Sequence, residues 1–275
     1  MLPNAKAKKL LEDYCITNPK KINLEEIANA ENLIVEEEEL KSHLGRITCG
    51  DGYGLIKISS TLESTGAKRF TLAHEMGHYF NEELKMNNYK LKECSISDLL
   101  SYKSVQAKEN EANEFAAELL MHKPCFSDYI RSRKINMELI KDTANYFYVS
   151  LTATAIRYAE IGKYPAAVIL SKDGKVQWSS CNEYFPLKFI PKGYFVRKES
   201  IAYDYFEKNE VQTDVSRRNG VKTEYDMVPA HTWFSQDYKC PEDLYFYEQS
   251  VVMKRARKIT YTKEDYSMRV LSGKK

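Results

Sequence analysis

Hydrophobic and polar residues alternate between strand-like and helical spacing in the first half of the chain. Residues 45–59 hold two runs rich in Ile and Thr on either side of a Gly-Asp-Gly turn, which is the pattern of a β-hairpin. The apolar positions of residues 64–81 recur at helical intervals: Leu72, Met76, Tyr79 and Phe80. The hydroxyl of Ser64 or Thr65 can cap this segment. The pattern therefore predicts a hairpin and then a helix that buries one face.

Further elements lie on both sides of this pair. Residues 5–15 and 23–31 have helical spacing, and residues 32–40 begin as a strand and end in an acidic run that we interpret as a solvated face. Residues 82–103 are polar and predict a connection. Residues 104–124 predict a second long helix, ended by Pro124. Its expected buried stripe is Ala112, Phe115, Ala116, Leu119 and Leu120.

The pattern changes near residues 125 and 165. Residues 136–161 predict two short helices around a tight turn at Tyr148-Val149, with Ser150 capping the second one, as in a helix-turn-helix. Beyond Tyr164 the chain is β-rich, with a hairpin around Asp173-Gly174 and strand-like runs at 242–253 and 257–262. We expect domains at 1–124, 125–164 and 165–275.

Composition narrows the class of protein. The chain has 275 residues, of which 43% are hydrophobic and 29% charged, and its net charge is +2. These values are ordinary for a globular protein and give no basic field for nucleic acid. No apolar run reaches the roughly 20 residues of a membrane span, and the N-terminus lacks a secretion signal. The six cysteines are scattered without a CxxC pair, so we expect a cytoplasmic protein with reduced thiols.

Residues 74–78 contain the pattern His-Glu-x-x-His, with two of the five histidines of the chain. Positions i and i+4 lie on one face of a helix, so His74 and His78 can aim their imidazole nitrogens at one point. Zinc accepts such nitrogens at about 2.0–2.1 Å. Glu75 lies beside that face, where it can act on a water as general base without being a ligand. A helix whose two histidines pack independently is the competing interpretation.

A catalytic zinc takes three protein ligands and leaves a fourth position for water. The second long helix offers Glu109 as the third ligand, and Asn113, one turn later, can hold a histidine in one tautomer. Glu111 is the rival ligand, but it points to the opposite side of the helix, so only one of the two can serve. Glu109 is preferred because its partner one turn on is polar, whereas that of Glu111 is Phe115.

Three further residues near this helix are expected on the surface. Glu114 and Glu118 are interpreted as part of its solvated face, like most acids in the chain. His122 follows the predicted stripe, and a surface histidine after a helix end is the expected role.

Two segments, KRFTLAHEMGHYF (68–80) and ENEANEFAAELLM (109–121), resemble the ImmA/IrrE family of metallo-endopeptidases of bacteria and their mobile elements. In that family an LAHExGH helix is followed by E-x-x-A-N/D-x-F-A-x-x-L-L-M-P. The resemblance covers roughly residues 20–125 and departs from the pattern only where His122-Lys123 precede Pro124. It implies one catalytic zinc ion, for which other divalent metals can substitute, bound by His74, His78 and Glu109, with Glu75 catalytic.

The resemblance also implies a layout and a function. Members similar to IrrE carry a peptidase domain, a helix-turn-helix and a GAF-like C-terminal domain, which agrees with the boundaries near 125 and 165. The implied fold is α+β, with a zincin-like peptidase domain around a small mixed sheet. The implied substrate is a transcriptional repressor with a helix-turn-helix domain, cut to induce stress or mobile-element genes. Extended substrate can pair with an edge strand, for which we expect residues 54–59.

Two interpretations from other classes remain open. A DNA-binding regulator would use the second helix of 136–161, but Arg157 is its only arginine and no lysine precedes Lys163, so a docking role is favoured. A ligand-gated sensor would use the aromatic side chains of the C-terminal part in a pocket, although a core explains them equally well. Those side chains are Trp178, Tyr184, Phe185 and Trp233.

Overall fold

The computed structural model describes residues 3–18, 22–40, 43–50, 52–80, 90–94, 107–186, 190–200, 202–203, 223–229, 232–233, 245–253 and 266–273. The helices are α1 (Pro3–Asp13), α2 (Leu24–Ala30), α3 (Thr65–Phe80), α4 (Ala107–Leu120), α5 (Lys123–Ile130), α6 (Met137–Phe147) and α7 (Leu151–Ile161). The strands are β1 (Leu33–Glu38), β2 (Gly45–Gly50), β3 (Tyr53–Ser59), β4 (Lys90–Cys94), β5 (Ala166–Lys172), β6 (Lys175–Cys181), β7 (Thr223–Pro229), β8 (Tyr245–Met253) and β9 (Tyr266–Gly273). This mixture of helices and separate sheets confirms the predicted α+β class. No helix within these ranges has the length and apolar character of a membrane span.

The chain divides into two compact units. The first comprises Met1–Tyr129 and Asp142–Thr154, and the second comprises Ile130–Lys141 and Ala155–Lys275. Helices α6 and α7 each contribute residues to both units. The domain boundaries expected at residues 124 and 164 stay predictions.

A four-stranded mixed sheet in the order β1-β3-β2-β4 organises the first unit. β2 and β3 pair antiparallel with Gly50 opposite Tyr53, which confirms the predicted hairpin. Gly52 in its turn has φ +83, a conformation that glycine adopts without strain. β1 runs parallel to β3 on the other side of the hairpin. β3 is therefore an interior strand, and the prediction that residues 54–59 offer a free edge is wrong.

The described edges of this sheet are β1 and β4. β4 lies within the segment that the polar composition of residues 82–103 predicted to be a connection. It pairs antiparallel with β2, from Cys49 opposite Lys90 to Gly45 opposite Cys94. The strand forms because β3 pairs with one side of β2 only, so the backbone donors and acceptors on the other side of β2 are available to β4. A polar sequence is compatible with this position, since charged residues are common in edge strands.

Helix α3 packs against β2 and β3 and also against α4. Ser64 caps it, since its hydroxyl accepts a hydrogen bond from the backbone N–H of Ala67 at 3.3 Å. The stripe predicted for α4 is confirmed, because all five of its residues are buried. α4 ends at Leu120 rather than at Pro124, which instead lies in the first turn of α5, where a proline costs no hydrogen bond.

Glu118 does not face solvent, so the expectation from the sequence is wrong at this residue. Its side chain is buried and accepts hydrogen bonds from Nδ1 of His122 at 2.8 Å and from the backbone N–H of Lys123 at 3.3 Å. The carboxylate therefore caps the start of α5, which explains its burial. His122 follows the end of α4, as expected, and its hydrogen bond helps to hold the Glu118 carboxylate in this capping position.

The turn between α6 and α7 lies against the beginning of α3. Tyr148 in that turn has φ +52, and the hydroxyl of Ser150 accepts from the backbone N–H of Ala153 at 3.1 Å, so Ser150 caps α7 as predicted. Gly66 of α3 meets this turn so closely that a Cβ atom would lie 2.6 Å from the carbonyl carbon of Val149. This turn is thus packed directly against the helix that carries the histidines.

The second unit holds a five-stranded antiparallel sheet in the order β6-β5-β9-β8-β7. The predicted hairpin around Asp173-Gly174 joins β5 to β6, and both turn residues have positive φ, 50° and 71°. β8 confirms the strand predicted at 242–253, whereas the run at 257–262 lies outside the described residues. Among the described residues of this unit, one core cluster consists of Ala167, Ile169, Val176, Phe185, Ile190, Val196, Ala202 and Trp233.

Candidate metal centre

The two histidines of α3 converge as their spacing predicts. His74 and His78 lie one turn apart, and their Nε2 atoms are 3.0 Å from each other. The ring planes are nearly perpendicular, at 89°, with centroids 4.6 Å apart. Relative exposure is 0% for His74 and 2% for His78, so both rings are removed from water. Independent packing of the two rings is therefore not what the structure shows.

Glu109 of α4 completes a triangle of ligand-type atoms. Its Oε2 atom lies 3.2 Å from Nε2 of His74 and 3.5 Å from Nε2 of His78. Ligand atoms of a tetrahedral zinc with bonds of about 2.0–2.1 Å lie roughly 3.3 Å apart. Within the described residues, these three side chains are the one group of His, Cys, Asp and Glu with the spacing of a metal site. Two imidazole nitrogens and a carboxylate oxygen fit zinc in both type and spacing.

Asn113 determines which nitrogen of His74 faces the triangle. Its side-chain oxygen, Oδ1, lies 2.9 Å from Nδ1 of His74. A carbonyl oxygen only accepts hydrogen bonds, so Nδ1 carries the proton and donates it. In the neutral ring the lone pair then lies on Nε2, the atom that points at Glu109 and His78. This is the outer hydrogen bond that metal-binding histidines commonly make.

Close packing of α3 on α4 makes this convergence possible. A Cβ atom on Gly77 would lie 3.0 Å from Cα of Ala112 and 3.2 Å from its carbonyl oxygen. Such a short distance to backbone means that the two helices touch at this point with no side chain between them. Glu109 is one turn before Ala112, so it reaches the histidines from the neighbouring helix.

Glu75 lies fully buried against the sheet. It is 0% exposed, and a Cβ atom on Gly45 of β2 would lie 2.8 Å from its Oε1 atom. The same Cβ atom would lie 2.6 Å from Cγ2 of Thr71, one turn earlier on α3. The backbone of β2 therefore forms the wall beside the Glu75 carboxylate.

Two acidic residues of α4 that the sequence analysis weighed are exposed and take no part in the triangle. Glu111, the rival third ligand, is exposed on α4, as its position opposite Glu109 requires. Glu114 is exposed as expected.

Burial raises the pKa of the Cys49 thiol to about 11, and the charge of Glu75 adds to this effect. The thiol therefore stays neutral near pH 7. Because metal binding and nucleophilic attack both require the thiolate, Cys49 is suited to neither role at that pH.

The two glycines beside the centre were not singled out from the sequence. Gly77 stands inside the HExGH segment, and that position in the motif was the available signal. Gly45 lies at the start of a predicted strand, where glycine is usually unfavourable. A strand glycine can mark close approach by another group, and here that group is Glu75.

Comparison with known proteins agrees with the motifs. Residues 28–158 match the family model described as the IrrE N-terminal-like domain, of peptidase family M78. A search of curated proteins gives no match. Among solved structures, a Mycobacterium tuberculosis transcriptional regulator is similar, with a TM-score of 0.65 and 12% identity over 98% of this chain and 75% of that one. At this identity the likeness concerns the fold.

The family match spans α3 and α4 together, so it includes every residue of the triangle, Glu75 and Asn113. It confirms the resemblance found in the two motifs. Over residues 28–158, the chain is therefore similar to the IrrE N-terminal-like domain of peptidase family M78.

Proposed function

We propose that this protein is a cytoplasmic zinc-dependent endopeptidase that cuts a regulatory protein. The observation that carries the proposal is the triangle of His74, His78 and Glu109, with sides of 3.0, 3.2 and 3.5 Å. These residues would hold the ion and leave a fourth position for water. Their burial also supports the proposal, because it sets them apart from exposed acidic groups, which are common without a metal.

The chain supplies a base and a fixed ligand orientation. When bound, zinc lowers the pKa of a water to about 7 and polarises the carbonyl of the peptide bond. Glu75 takes a proton from the attacking water and returns it to the amine that leaves. Asn113 keeps the lone pair of His74 on Nε2 throughout. Glu75 suits this role because burial beside β2 restricts the positions that its carboxylate can adopt.

The edge strand β4 offers a place for an extended substrate. Its Cys94 pairs with Gly45 of β2, and Gly45 lies directly beside Glu75. A peptide that adds to the outer edge of β4 would have its backbone hydrogen-bonded to the same sheet that forms the wall beside Glu75. β4 therefore takes the place of residues 54–59 as the proposed substrate-binding edge, since β3 is an interior strand.

A regulatory substrate is the further part of the proposal. The family resemblance implies a transcriptional repressor with a helix-turn-helix domain, cut to induce stress or mobile-element genes. The solved structure of similar fold is named a transcriptional regulator, which is in keeping with this role. The antiparallel sheet of the second unit would serve as the GAF-like part. Phe185 and Trp233 pack in its core, so these two aromatic side chains support the fold of that part rather than a pocket.

A role in DNA recognition has less support. Arg157, the arginine of α7, is 6% exposed and pairs with Glu160 at 3.2 Å. Thr152 and Thr154, which a groove-reading helix would present, are both buried. The described surface of α7 therefore offers no arginine for a base or phosphate, and a packing role accounts for the helix better.

Exchange of Glu75 for Gln tests the proposal. We expect Glu75→Gln to keep one zinc per chain, because no ligand changes, and to stop cleavage of a co-expressed helix-turn-helix repressor. Glu114→Gln, on the exposed face of α4, is the matched control and should cleave like the wild type. Zinc is measured in the purified chains and cleavage by gel electrophoresis. Full cleavage by Glu75→Gln would refute the role of Glu75 in the mechanism. A purified wild-type chain that contains no zinc would refute the proposed metal centre.

A further inference from the structure

Helix α1 lies ahead of the family match, yet it contacts both helices that supply the candidate ligands. The family model begins at residue 28, whereas α1 spans Pro3–Asp13. α1 packs against α4, the helix of Glu109. Its buried residues are Ala7, Leu10 and Leu11. From this position the side chain of Lys6 reaches α3, the helix of the two histidines.

The contact of Lys6 is made at the last residue of α3. Its Nζ atom donates a hydrogen bond of 2.6 Å to the carbonyl oxygen of Phe80. The last four carbonyls of a helix have no partner within it, and the helix C-terminus carries partial negative charge. A lysine ammonium at this point satisfies one carbonyl and is attracted by the dipole. The bond is partly buried, which reduces competition from water.

The end of α3 needs such support because a candidate ligand lies in it. His78 is in the last turn of the helix, two residues before Phe80. Terminal turns open more easily than helix interiors, and a ligand in an open turn loses its position. The ring of Phe80 also stacks on Phe115 of α4, with centroids 5.5 Å apart. Lys6 and this stack therefore hold the same turn from two sides.

We infer that Lys6 is a positioning residue of the metal centre, through which α1 ties the last turn of α3 to the α1–α4 pair. This inference rests on the proposed zinc site. By fixing Phe80, Lys6 keeps Nε2 of His78 within 3.5 Å of Oε2 of Glu109. The triangle joins atoms from two helices, so any separation of their ends lengthens two of its sides. A residue that precedes the family match at residues 28–158 thus helps to determine how tightly the metal centre binds its ion.

The test compares zinc affinity in the full chain. Lys6→Met removes the donor and keeps most of the aliphatic stem, so we expect zinc binding to weaken about 10-fold, the lower end for groups that act through a ligand. Lys6→Arg keeps a cationic donor and should bind zinc more tightly than Lys6→Met. Lys9→Met, on an exposed position of the same helix, is the matched control and should bind zinc like the wild type. Affinity is measured by competition with a coloured zinc chelator, at a temperature where each apo chain is folded.

A second readout separates positioning from general stability. Cobalt(II) in place of zinc reports the ligand geometry through its visible absorption bands. We expect Lys6→Met to change these bands and Lys9→Met to leave them unchanged. Equal zinc affinity and equal cobalt spectra for Lys6→Met and wild type would overturn the inference, even if the variant unfolds at a lower temperature. If Lys6→Met cannot be purified, Lys6→Gln gives the same comparison, and wild-type affinity in it would also overturn the role.

The outcome for the wild type distinguishes this inference from the proposed function. A wild-type chain that binds no zinc would refute the metal centre and the role of Lys6 together. A wild-type chain that binds zinc, with Lys6→Met equal to it in zinc affinity and in cobalt spectrum, would refute the role of Lys6 alone.

Discussion

Gly45→Ala should separate catalysis from metal binding. The added methyl group would lie 2.8 Å from Oε1 of Glu75 and 2.6 Å from Cγ2 of Thr71. Carbon atoms pack at about 3.5–4.0 Å, so the Thr71 methyl must move by about 1 Å. The carboxylate must move by about 0.5 Å to reach an ordinary carbon–oxygen distance of about 3.3 Å. Gly45 is not among the residues with positive φ, so the backbone itself accepts alanine.

The expected consequence is slow cleavage by a chain that still binds zinc. A misplacement of about 1 Å at a reacting group can cost about 100-fold in rate, so we expect a loss of about 10- to 100-fold for this smaller shift of Glu75. Overpacking should also cost about 1–3 kcal/mol of unfolding free energy. Zinc content should be unchanged, since the short contacts of the new methyl group involve Thr71 and Glu75 and none of the candidate ligands.

The assay measures repressor cleavage over time, zinc per chain and urea unfolding for the same preparations. Thr48→Ala is the matched control, because Thr48 lies on β2 but on the opposite, partly exposed face of the sheet. It should cleave at the wild-type rate. Wild-type cleavage by Gly45→Ala would refute the argument that the β2 backbone positions Glu75. Loss of zinc from Gly45→Ala would show that the contact supports the ligands instead.

Two further predictions concern the ligand set and the buried thiol. Glu109→Ala should lose zinc sharply because two ligands and water hold it poorly, Asn113→Ala should weaken it about 10–100-fold, and exposed Glu111→Ala should leave it unchanged. Zinc content of the three purified variants decides this, and loss of zinc in Glu111→Ala alone would reverse the assignment. Burial raises the pKa of Cys49 from 9.0 to about 11, so the folded state binds its proton more tightly than the unfolded state does. The stability that this provides is complete below pH 9 and is lost as the pH rises towards 11. Urea unfolding of the apo chain at pH 8 and 10.5 should show a smaller decline in Cys49→Ala than in the wild type, and an equal decline would contradict the cause.

Local pattern determined the elements around the site. The 3.6-residue period alone places His74 and His78 on one face of α3, and the structure brings their Nε2 atoms to 3.0 Å. The same period separates Glu109 from Glu111 and places Asn113 beside Glu109. Ser150 was predicted to cap α7, and Ser64 was one of two candidates for α3, because a cap needs only residues within the same turn. Each of these two hydroxyls accepts the expected hydrogen bond.

Contacts between distant segments were decided only by the tertiary structure. β3 became an interior strand because β1 pairs with its outer side, and nothing in residues 53–59 encodes that neighbour. Glu118 became buried because α5 begins beside it and presents an unsatisfied N–H. Gly45, Gly77 and Lys6 owe their roles to groups 30 or more residues away, so no local period could reveal them. Sequence periodicity reports which residues share a face, whereas only packing determines which other chain segment that face meets.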